Sequence, residues 1–318
     1  MSKTKILIIG ANGQIGSELA EALAVRHGAE SVVASDIQAQ GRHKQFAYES
    51  LDVLDAKRLR EIAQRHRITQ VYHLAAALSA TGERDPVWAW DLNMRGLLNV
   101  LELAREMKLE RVFWPSSIAA FGPSTPAQNT PQLTPMDPTT VYGISKLAGE
   151  RWCAWYRANH GVDVRSLRYP GLISYKTPPG GGTTDYAVEI FHAARERGAY
   201  TCFLEADTAL PMMYMPDALR ATLELMEASP ERMRQASYNL AGVSFTPAQI
   251  ARSIERHVSG FAISYAPDFR QQIAASWPQS IDDSAARTDW GWQARFDLDA
   301  MVEDMLKHIT AATALVAA

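Results

Sequence analysis

Lys5-Ile6-Leu7-Ile8-Ile9-Gly10-Ala11-Asn12-Gly13-Gln14-Ile15-Gly16 is the stretch of sequence that decides the fold. Residues 5–9 form a short apolar run, which is typical of a strand buried on both faces. Glycines follow at positions 10, 13 and 16, and residues 17–23 have a helical pattern. A strand, a glycine turn and a helix in this order form a cradle for a dinucleotide, because the turn brings the backbone and the positive end of the helix to the pyrophosphate. The candidate contacts in this cradle are Gly10, Asn12, Gly13, Gln14, Ile15 and Gly16.

The next predicted strand ends in an acidic residue. Residues 31–35 are mostly apolar, and Asp36 follows them, 20 residues beyond Gly16. A carboxylate at this place can accept hydrogen bonds from both ribose hydroxyls and repels a 2′-phosphate. Asp36 therefore favours NAD over NADP, and the alternative is an aspartate that only caps a helix or lies in a loop.

Further strands are predicted at residues 46–53, 71–77, 111–114 and 162–168, with helical patterns between them. This alternation predicts an α/β fold with a doubly wound parallel (Rossmann) sheet. Such sheets bind ligands at the carboxyl ends of their strands. The candidate cofactor contacts there are Asp52, Val53, Leu74, Ala75, Ala76, Tyr169, Gly171, Leu172 and Ile173. We interpret His73, inside the fourth strand, as a packed residue and not as a base.

A long helix is predicted from Pro86 to Met107, and Asn93 lies inside it. Asparagine has a poor helix propensity, so its presence points either to a structural hydrogen bond or to a role in the site. We include it among the candidate cofactor contacts. Ser116 and Ser117 follow the strand at 111–114, where a hydroxyl can face the nicotinamide site. Position alone does not distinguish the two serines.

Tyr142 and Lys146 are four residues apart and share one face of a predicted helix. A free phenol titrates near pH ~10, and a neighbouring ammonium lowers that pKa. A tyrosine with a lowered pKa can take the proton of an alcohol while a hydride leaves the same carbon. The spacing also occurs on solvated helix faces. Together with the cradle, Asp36 and the serine at a strand end, it predicts an enzyme that oxidises an alcohol.

The composition is that of an ordinary soluble globular protein. The chain has 318 residues, 47% hydrophobic and 21% charged, which allows one large domain or two fused lobes. A net charge of −3 gives no indication of nucleic acid or of an anionic membrane surface as a partner. The two cysteines make no disulfide framework, no ligand cluster has zinc spacing, and no run reaches the ~20 apolar residues of a membrane span. We therefore expect a cytoplasmic protein with no metal.

The composition changes beyond Gly171. Residues 178–184 are rich in proline, glycine and threonine and predict either a loop that covers a ligand or a flexible connector. Later elements are predicted at 216–227 (helix), 238–240 (a strand that returns to the sheet), 246–249 (a capped helix start), 261–265 (strand) and 299–309 (helix). We expect a Rossmann domain at 1–170, to which 209–242 returns, and a smaller mixed α/β substrate lobe at 171–208 and 243–318. The Ala-rich tail, 310–318, is expected to fray.

These motifs together resemble the extended short-chain dehydrogenase/reductase family. The distance of 25 residues from Ser117 to Tyr142 matches that family and selects Ser117, with Ser116 as the fallback. The second half is more specific. Residues 166–175, 180–190, 210–218 and 276–283 are similar to the branch of the family that oxidises L-threonine. The resemblance covers the chain except for the Ala-rich tail.

The resemblance implies NAD-dependent oxidation of the C3 hydroxyl of L-threonine to 2-amino-3-ketobutyrate. Tyr142 would be the general base, Lys146 would lower its pKa and hold the nicotinamide ribose, and Ser117 would hydrogen-bond the substrate oxygen. An amino acid also needs receptors for its two charges. Ser79, Gly180 and Thr183 would bind the carboxylate, and Asp185 the ammonium group.

Two other functions remain possible on the sequence. A nucleotide-sugar epimerase or dehydratase shares the cradle and the Tyr-x-x-x-Lys pattern, but its diphosphate usually needs basic residues in the small lobe. Arg195, Arg197, Arg252 and Arg270 are available there, and nothing singles them out. The second alternative is a non-catalytic NAD-binding regulator, although family members of that kind tend to lose the tyrosine or the lysine.

The resemblance also implies an assembly. In the family, helices equivalent to 86–107 and 142–159 pair across a two-fold axis into a four-helix bundle, so we expect a homodimer or a higher homo-oligomer. Trp152, Trp155 and Tyr156 could belong to that interface or to the core, and the sequence leaves this open.

Overall fold

The computed structural model describes residues 4–177, 180 and 182–309. Its strands are β1 Ile6–Ile9, β2 Val32–Asp36, β3 Ala47–Ser50, β4 Gln70–His73, β5 Arg111–Phe113, β6 Ser116–Ser117, β7 Val164–Tyr169, β8 Gly171–Ile173, β9 Ala199–Cys202, β10 Leu210–Tyr214, β11 Ser237–Asn239, β12 Val243–Phe245 and β13 Ala262–Tyr265. Its α-helices are α1 Gln14–His27, α2 Ala56–Arg65, α3 Ser79–Gly82, α4 Pro86–Met107, α5 Val141–His160, α6 Tyr186–Arg197, α7 Met215–Glu227, α8 Pro247–Glu255, α9 Phe269–Ala275, α10 Ser284–Trp290 and α11 Leu298–His308.

The large sheet has the strand order β3-β2-β1-β4-β5-β7-β11, and β6 also pairs with β7. All of these pairings are parallel. The order reverses at β1, where the chain crosses to the other half of the sheet at β4. This is the predicted doubly wound sheet, and its switch point lies beside the glycine turn that follows β1.

Helices cover both faces of this sheet. The apolar sequence of β1 follows from this, because both of its faces are buried. Ile6 and Ile8 pack into a core with α1, α7 and α10, whereas Leu7 and Ile9 pack into a second core with α2, α4 and α5. Because successive strand side chains point to opposite faces, a strand covered on both faces has no polar positions.

Two small sheets build the lobe over the carboxyl ends of the large sheet. One has the order β12-β10-β8, and the other pairs β13 with β9. Their shared core includes α6, α8 and α11 and closes around side chains such as Phe191, Ile250 and Met301. The chain enters this lobe at Gly171, directly after β7, and returns to the large sheet at β11. The substrate lobe therefore meets the Rossmann sheet at the strand ends that hold the candidate site.

Several boundaries differ from the sequence-based predictions. The third strand ends at Ser50, so that Asp52 and Val53 lie in the following loop, where the Asp52 carboxylate accepts from Leu54 N at 2.9 Å. Strands β8, β9, β10 and β12 and helix α6 were not predicted, whereas β11 and the capping box of α8 were. Residues 178, 179 and 181 of the predicted loop and the tail at 310–318 lie outside the described residues. In the part of the chain that the structure describes, no helix has the length and apolar character needed to cross a membrane.

Candidate active site

Ser117, Tyr142 and Lys146 come together at the carboxyl end of β6. Helix α5 begins at a fixed point because the Thr140 side chain accepts from Gly143 N at 3.0 Å. This start places Tyr142 in the first turn and Lys146 one turn later, on the same face. Ser117 ends β6, its Oγ accepts from Ala119 N at 3.2 Å, and its side chain lies close enough to the Tyr142 hydroxyl to lower the pKa of that phenol. The structure thus joins the three residues that the sequence assigned to the chemistry.

Lys146 is held firmly beneath the cleft. Its Nζ donates to the carbonyl oxygen of Pro115 at 2.6 Å, and it lies 4.5 Å from the centre of the Trp114 ring and 5.3 Å from that of Tyr142. Only 3% of the residue is exposed. A buried cation with one backbone acceptor and two aromatic faces has a fixed position, with donors left for a ligand.

Burial determines the direction of both pKa shifts in this pair. It raises the pKa of Tyr142 to about 12, and the nearby Ser117 hydroxyl opposes this only in part. Burial also lowers the pKa of Lys146 to about 7, while Cys153 and Glu150 act in the opposite direction. That Lys146 lowers the pKa of Tyr142 during the reaction stays a prediction.

Ser116 is oriented away from this chemistry. Its Oγ donates to Glu150 Oε1 at 2.6 Å, and the same carboxylate is held by the Arg168 guanidinium. Because the Ser116 hydroxyl is engaged in a buried ion-pair network, the geometry favours Ser117 as the serine that faces Tyr142.

The glycine cradle fits a dinucleotide phosphate. Gly10 has a φ of +86°, and a Cβ there would lie 2.7 Å from Ala75 N, so only glycine lets β1 and β4 end side by side. A Cβ on Gly16 would lie 2.2 Å from the Gly10 carbonyl oxygen, so this glycine sets the packing of α1 on the turn. Helix α1 begins at Gln14 with no side-chain cap and no acidic residue in its first turn. Its amide groups and positive end are therefore available for an anion.

Asp36 lies beside this cradle at the end of β2. Its Oδ2 accepts from Asn12 N at 3.0 Å, and its Oδ1 accepts from Gln38 N at 3.3 Å. The side-chain Nδ2 of Asn12 in turn donates to Gln38 Oε1 and to the Gln40 carbonyl oxygen. The cradle and the loop after β2 are thus one hydrogen-bonded unit, which orients the carboxylate expected to select NAD.

The cleft itself is lined by nine of the candidate cofactor contacts, namely Gln14, Ile15, Leu74, Ala76, Tyr142, Lys146, Tyr169, Gly171 and Leu172. Other candidate cofactor contacts are buried and do not line the cleft. Val53 is buried against Gly96, and Ile173 is buried in the lobe core. The Tyr169 hydroxyl is hydrogen-bonded to Thr222. Asp52 is exposed in the loop after β3 and is not part of the cleft lining.

Asn93 has a structural role in this arrangement. Its Oδ1 accepts from Ala77 N at 2.8 Å, and its Nδ2 donates to the Ala77 carbonyl oxygen at 3.2 Å and to Ser145 Oγ at 3.1 Å. Of the two roles left open by the sequence, the structural hydrogen bond is the one that the geometry supports. The cofactor contact assigned to Asn93 is not supported, because its buried amide is fully engaged by the protein.

The candidate substrate residues line the same cleft. Ser79 Oγ and Thr183 Oγ1 are 3.4 Å apart, and Asp185 follows Thr183 by two positions at the start of α6. Asp185 Oδ2 accepts from Gly182 N at 2.7 Å, which fixes the carboxylate to its own loop. Gly182 lines the cleft, whereas Gly180, which was the predicted contact, lies beside Leu78.

Several residues of the lining carried no chemical motif and were missed. They are Leu78, Pro115, Ile118, Pro170, Thr184 and Trp277. Trp277 belongs to the substrate lobe, lies between α9 and α10, and is only 7% exposed. Its only signal in the sequence was that it falls within residues 276–283, one of the segments that resembles the L-threonine branch.

His73 is packed, as predicted. It is 1% exposed, and neither ring nitrogen has a hydrogen-bond partner among the described residues. Burial, and then the nearby Lys146, lower its pKa to about 3, so the imidazole is neutral. Among the described residues, no group of three or more His, Cys, Asp or Glu side chains could hold a metal ion.

Comparison with known proteins agrees with the fold. Residues 6–241 match the model of the NAD dependent epimerase/dehydratase family. An uncharacterized epimerase/dehydratase of Staphylococcus saprophyticus is 47% identical over 96% of this chain and 97% of its own length. The chain therefore belongs to the NAD dependent epimerase/dehydratase family, whose members are extended short-chain dehydrogenases/reductases.

Solved structures give a narrower comparison. The holo form of an L-threonine dehydrogenase from Cupriavidus necator is 67% identical, with a TM-score of 0.94, over 95% of this chain and 99% of that one. An L-threonine dehydrogenase from Phytophthora infestans is 51% identical, with a TM-score of 0.93, over 96% and 98% of the two chains. A monomeric L-threonine 3-dehydrogenase from a metagenome is 45% identical, with a TM-score of 0.93, over 98% and 100%.

Proposed function

We propose that this protein is an NAD-dependent L-threonine 3-dehydrogenase, which oxidises the C3 hydroxyl of L-threonine to 2-amino-3-ketobutyrate. The observation that carries the proposal is a single cleft that contains both a Ser117–Tyr142–Lys146 set and a pair of receptors for an amino acid. A sequence identity of 67% to an L-threonine dehydrogenase over nearly the whole chain supports the same substrate.

The residues present fit NAD as the cofactor. The uncapped start of α1 suits its pyrophosphate, Asp36 suits an unmodified ribose, and Lys146 has donors for the second ribose. When bound, NAD supplies the hydride acceptor and the positive charge of its oxidised nicotinamide ring.

The residues of this chain accept the proton that leaves the substrate hydroxyl and stabilise the oxygen that remains. Tyr142 Oη takes the proton of the substrate hydroxyl, and positive charge nearby favours the phenolate that this step requires. Ser117 Oγ donates to the substrate oxygen as it becomes a carbonyl, so that the developing charge is met by a donor already in place.

The substrate is held by its two charges and by its methyl group. Ser79 and Thr183 present hydroxyl donors for the carboxylate, and Asp185 presents a carboxylate for the ammonium group. The apolar side chains of Leu78, Ile118 and Trp277 in the same lining suit the methyl group at C4.

The arrangement does not favour a nucleotide-sugar enzyme. The lobe arginines that a diphosphate would need do not line the cleft, and three of them have other partners. Arg195 donates to the Leu306 carbonyl oxygen, and Arg270 pairs with Asp268 at 2.7 Å. A non-catalytic regulator is disfavoured because both Tyr142 and Lys146 are present and positioned.

Helices α4 and α5 pack against each other and leave large apolar side chains on their outer surface. Trp88 and Trp155 are each 46% exposed, and Trp152 is 39% exposed, whereas Tyr156 is buried. We infer that this surface pairs with a second copy as a four-helix bundle, in the cytoplasm, as part of amino-acid catabolism. An apolar surface of this kind normally marks an interface.

The test is formation of NADH from L-threonine by the purified full chain. We expect turnover with L-threonine and NAD, much less with NADP, and none with D-threonine or UDP-glucose. Tyr142→Phe should reduce turnover by at least about 100-fold, because it removes the group that accepts the proton. Turnover by Tyr142→Phe at the wild-type rate, or activity with the nucleotide sugar alone, would contradict the proposal.

A further inference from the structure

Three consecutive residues, Pro115 and the two residues of β6, contact the same face of α5. Pro115 accepts from Lys146 Nζ at 2.6 Å, Ser116 donates to Glu150 Oε1 at 2.6 Å, and Ser117 lies beside Tyr142 in the cleft. Tyr142, Lys146 and Glu150 follow one another at intervals of four residues, so they form one line along the helix. Two of these attachments involve groups already assigned to the chemistry. The third, between Ser116 and Glu150, has no role in it.

The Ser116–Glu150 contact is anchored by a buried ion pair. Arg168 Nε donates to Glu150 Oε1 at 2.9 Å, and Arg168 Nη2 donates to Glu150 Oε2 at 2.8 Å. The side chains of Arg168 and Glu150 are 3% and 1% exposed. A two-point contact between a guanidinium and a carboxylate fixes both orientation and distance. Glu150 Oε1 is therefore a rigid acceptor, and Ser116 is tied to it.

The same ion pair reaches the substrate lobe. Arg168 Nη1 donates to Asn239 Oδ1 and to the Gln132 carbonyl oxygen, both at 2.9 Å. Asn239 Nδ2 donates to the Asp282 carbonyl oxygen at 3.1 Å. Asp282 lies five positions after Trp277, which lines the cleft. One buried network thus connects the strand that carries Ser117, the helix that carries Tyr142 and the lobe.

We propose that Ser116, Glu150 and Arg168 are positioning residues that hold Ser117 at the distance from Tyr142 that the proposed alcohol oxidation requires. The expected effect on kcat rests on the proposed function, whereas the expected effect on the position of Ser117 rests only on the geometry. Strand β6 is only two residues long, and its ladder partner is β7. So short a strand has few backbone hydrogen bonds to fix it, and the Ser116 side chain supplies the missing constraint.

The decisive variant is Ser116→Ala, because it removes one hydroxyl and leaves the Arg168–Glu150 pair intact. A displacement of about 1 Å in a reacting group can lower a rate by about 100-fold, and we expect kcat for L-threonine to fall by about tenfold. Ser116 lines the cleft but is not part of the glycine turn that is expected to hold the pyrophosphate, and its hydroxyl is bound to Glu150. The Kd for NAD, measured by calorimetry, should therefore stay within about twofold. The melting temperature should change by no more than about 3 °C.

Ser166→Ala is the matched control. Ser166 is also a fully buried serine, on β7, but its Oγ has no partner among the described residues. This variant should leave kcat, Kd and melting temperature unchanged. Wild-type kcat in Ser116→Ala, an equal loss in Ser166→Ala, or a parallel loss of NAD affinity would each overturn the positioning role.

Crystal structures of the wild type and Ser116→Ala test the inference without any substrate. We expect the distance from Ser117 Oγ to Tyr142 Oη to be longer in the variant than in the wild type by about 0.5 Å, which is the full width of the usual O–H···O range. An unchanged distance would overturn the proposal. If neither the wild type nor Ser166→Ala forms NADH from L-threonine, the proposed function fails, and the structural comparison still decides the positioning role.

Discussion

Asp185 is the residue that we propose to bind the ammonium group of the substrate, which a simple alcohol lacks. Its Oδ2 accepts from Gly182 N at 2.7 Å, so its carboxylate also fixes Gly182, which lines the cleft. Replacement by alanine would remove both functions at once. Replacement by asparagine keeps an oxygen that can accept from Gly182 N and removes only the charge.

We predict that Asp185→Asn raises the KM for L-threonine by about 10- to 100-fold, which is what the loss of one charged hydrogen bond costs. The KM for NAD should change by less than about threefold, because Asp185 lies in the substrate part of the cleft. Asp185→Ala should have a larger effect on the KM for L-threonine, since it also releases Gly182. Equal increases in the two KM values would show that Asp185 does not bind the ammonium group.

For single residues, the sequence predicted which side chains line the cleft better than it predicted their pKa values and hydrogen-bond partners. Ser117, Tyr142, Lys146, Ser79, Thr183 and Asp185 all line one cleft. The burial that raises the pKa of Tyr142 could not be predicted, because desolvation depends on tertiary packing that no local pattern encodes. The separate role of Ser116 was also invisible, since its partner Glu150 is 34 positions away.

Among the elements, the turn between β1 and α1 has the tightest steric limit. A Cβ at Gly16 would lie 2.2 Å from the Gly10 carbonyl oxygen and 2.8 Å from Ala11 Cα, both of them backbone atoms. Backbone cannot move aside as the end of a flexible side chain can. Helix α1 must therefore shift if any side chain is introduced at position 16.

Gly16→Ala should accordingly weaken NAD binding by at least about tenfold and lower stability by about 1–3 kcal/mol, the usual cost of overpacking. Gly82→Ala is the control, because a Cβ there meets only Ala89 Cβ at an ordinary 3.4 Å. Calorimetric titration with NAD and urea unfolding measure the two effects. An unchanged NAD affinity in Gly16→Ala would mean that the position of α1 does not determine the phosphate site.

The elements that were predicted well are those with local signals. The cradle, the capped start of α8 and the buried strands of the large sheet each have a residue pattern of their own. Strands β8, β9 and β10 are short and pair with distant segments, such as Gly171–Ile173 with 212–214. Their register depends on those partners, and so the lobe could be predicted as a region but not as a set of strands.

For the whole molecule, the exposed aromatic surface of α4 and α5 predicts a dimer. A double change, Trp152→Glu with Trp155→Glu, should convert it to a monomer, because two charges would be buried at the interface without partners. Light scattering after size-exclusion chromatography measures the mass. Val25→Glu is the control, since Val25 is 90% exposed on α1, away from this surface. A monomeric wild type would contradict the assembly and would agree with the 45% identical monomeric relative.

The division into domains remains a prediction at this scale. The large sheet and the lobe each have their own core, as a division at Gly171 requires. Strand β10, at 210–214, pairs with β8 and β12 of the lobe, so the chain does not return to the large sheet at residue 209 and rejoins that sheet at β11.

The transfer of hydrogen from C3 of the substrate tests the central claim most directly. L-threonine deuterated at C3 should give NADH that carries the deuterium, with a primary isotope effect on the rate whenever hydride transfer limits turnover. L-threonine deuterated at C2 should give unlabelled NADH and serves as the control. Mass spectrometry of the reduced cofactor measures both. Deuterium from C3 in the NADH is the result that the site predicts, whereas unlabelled NADH from the C3-deuterated substrate, or label from C2, would contradict it.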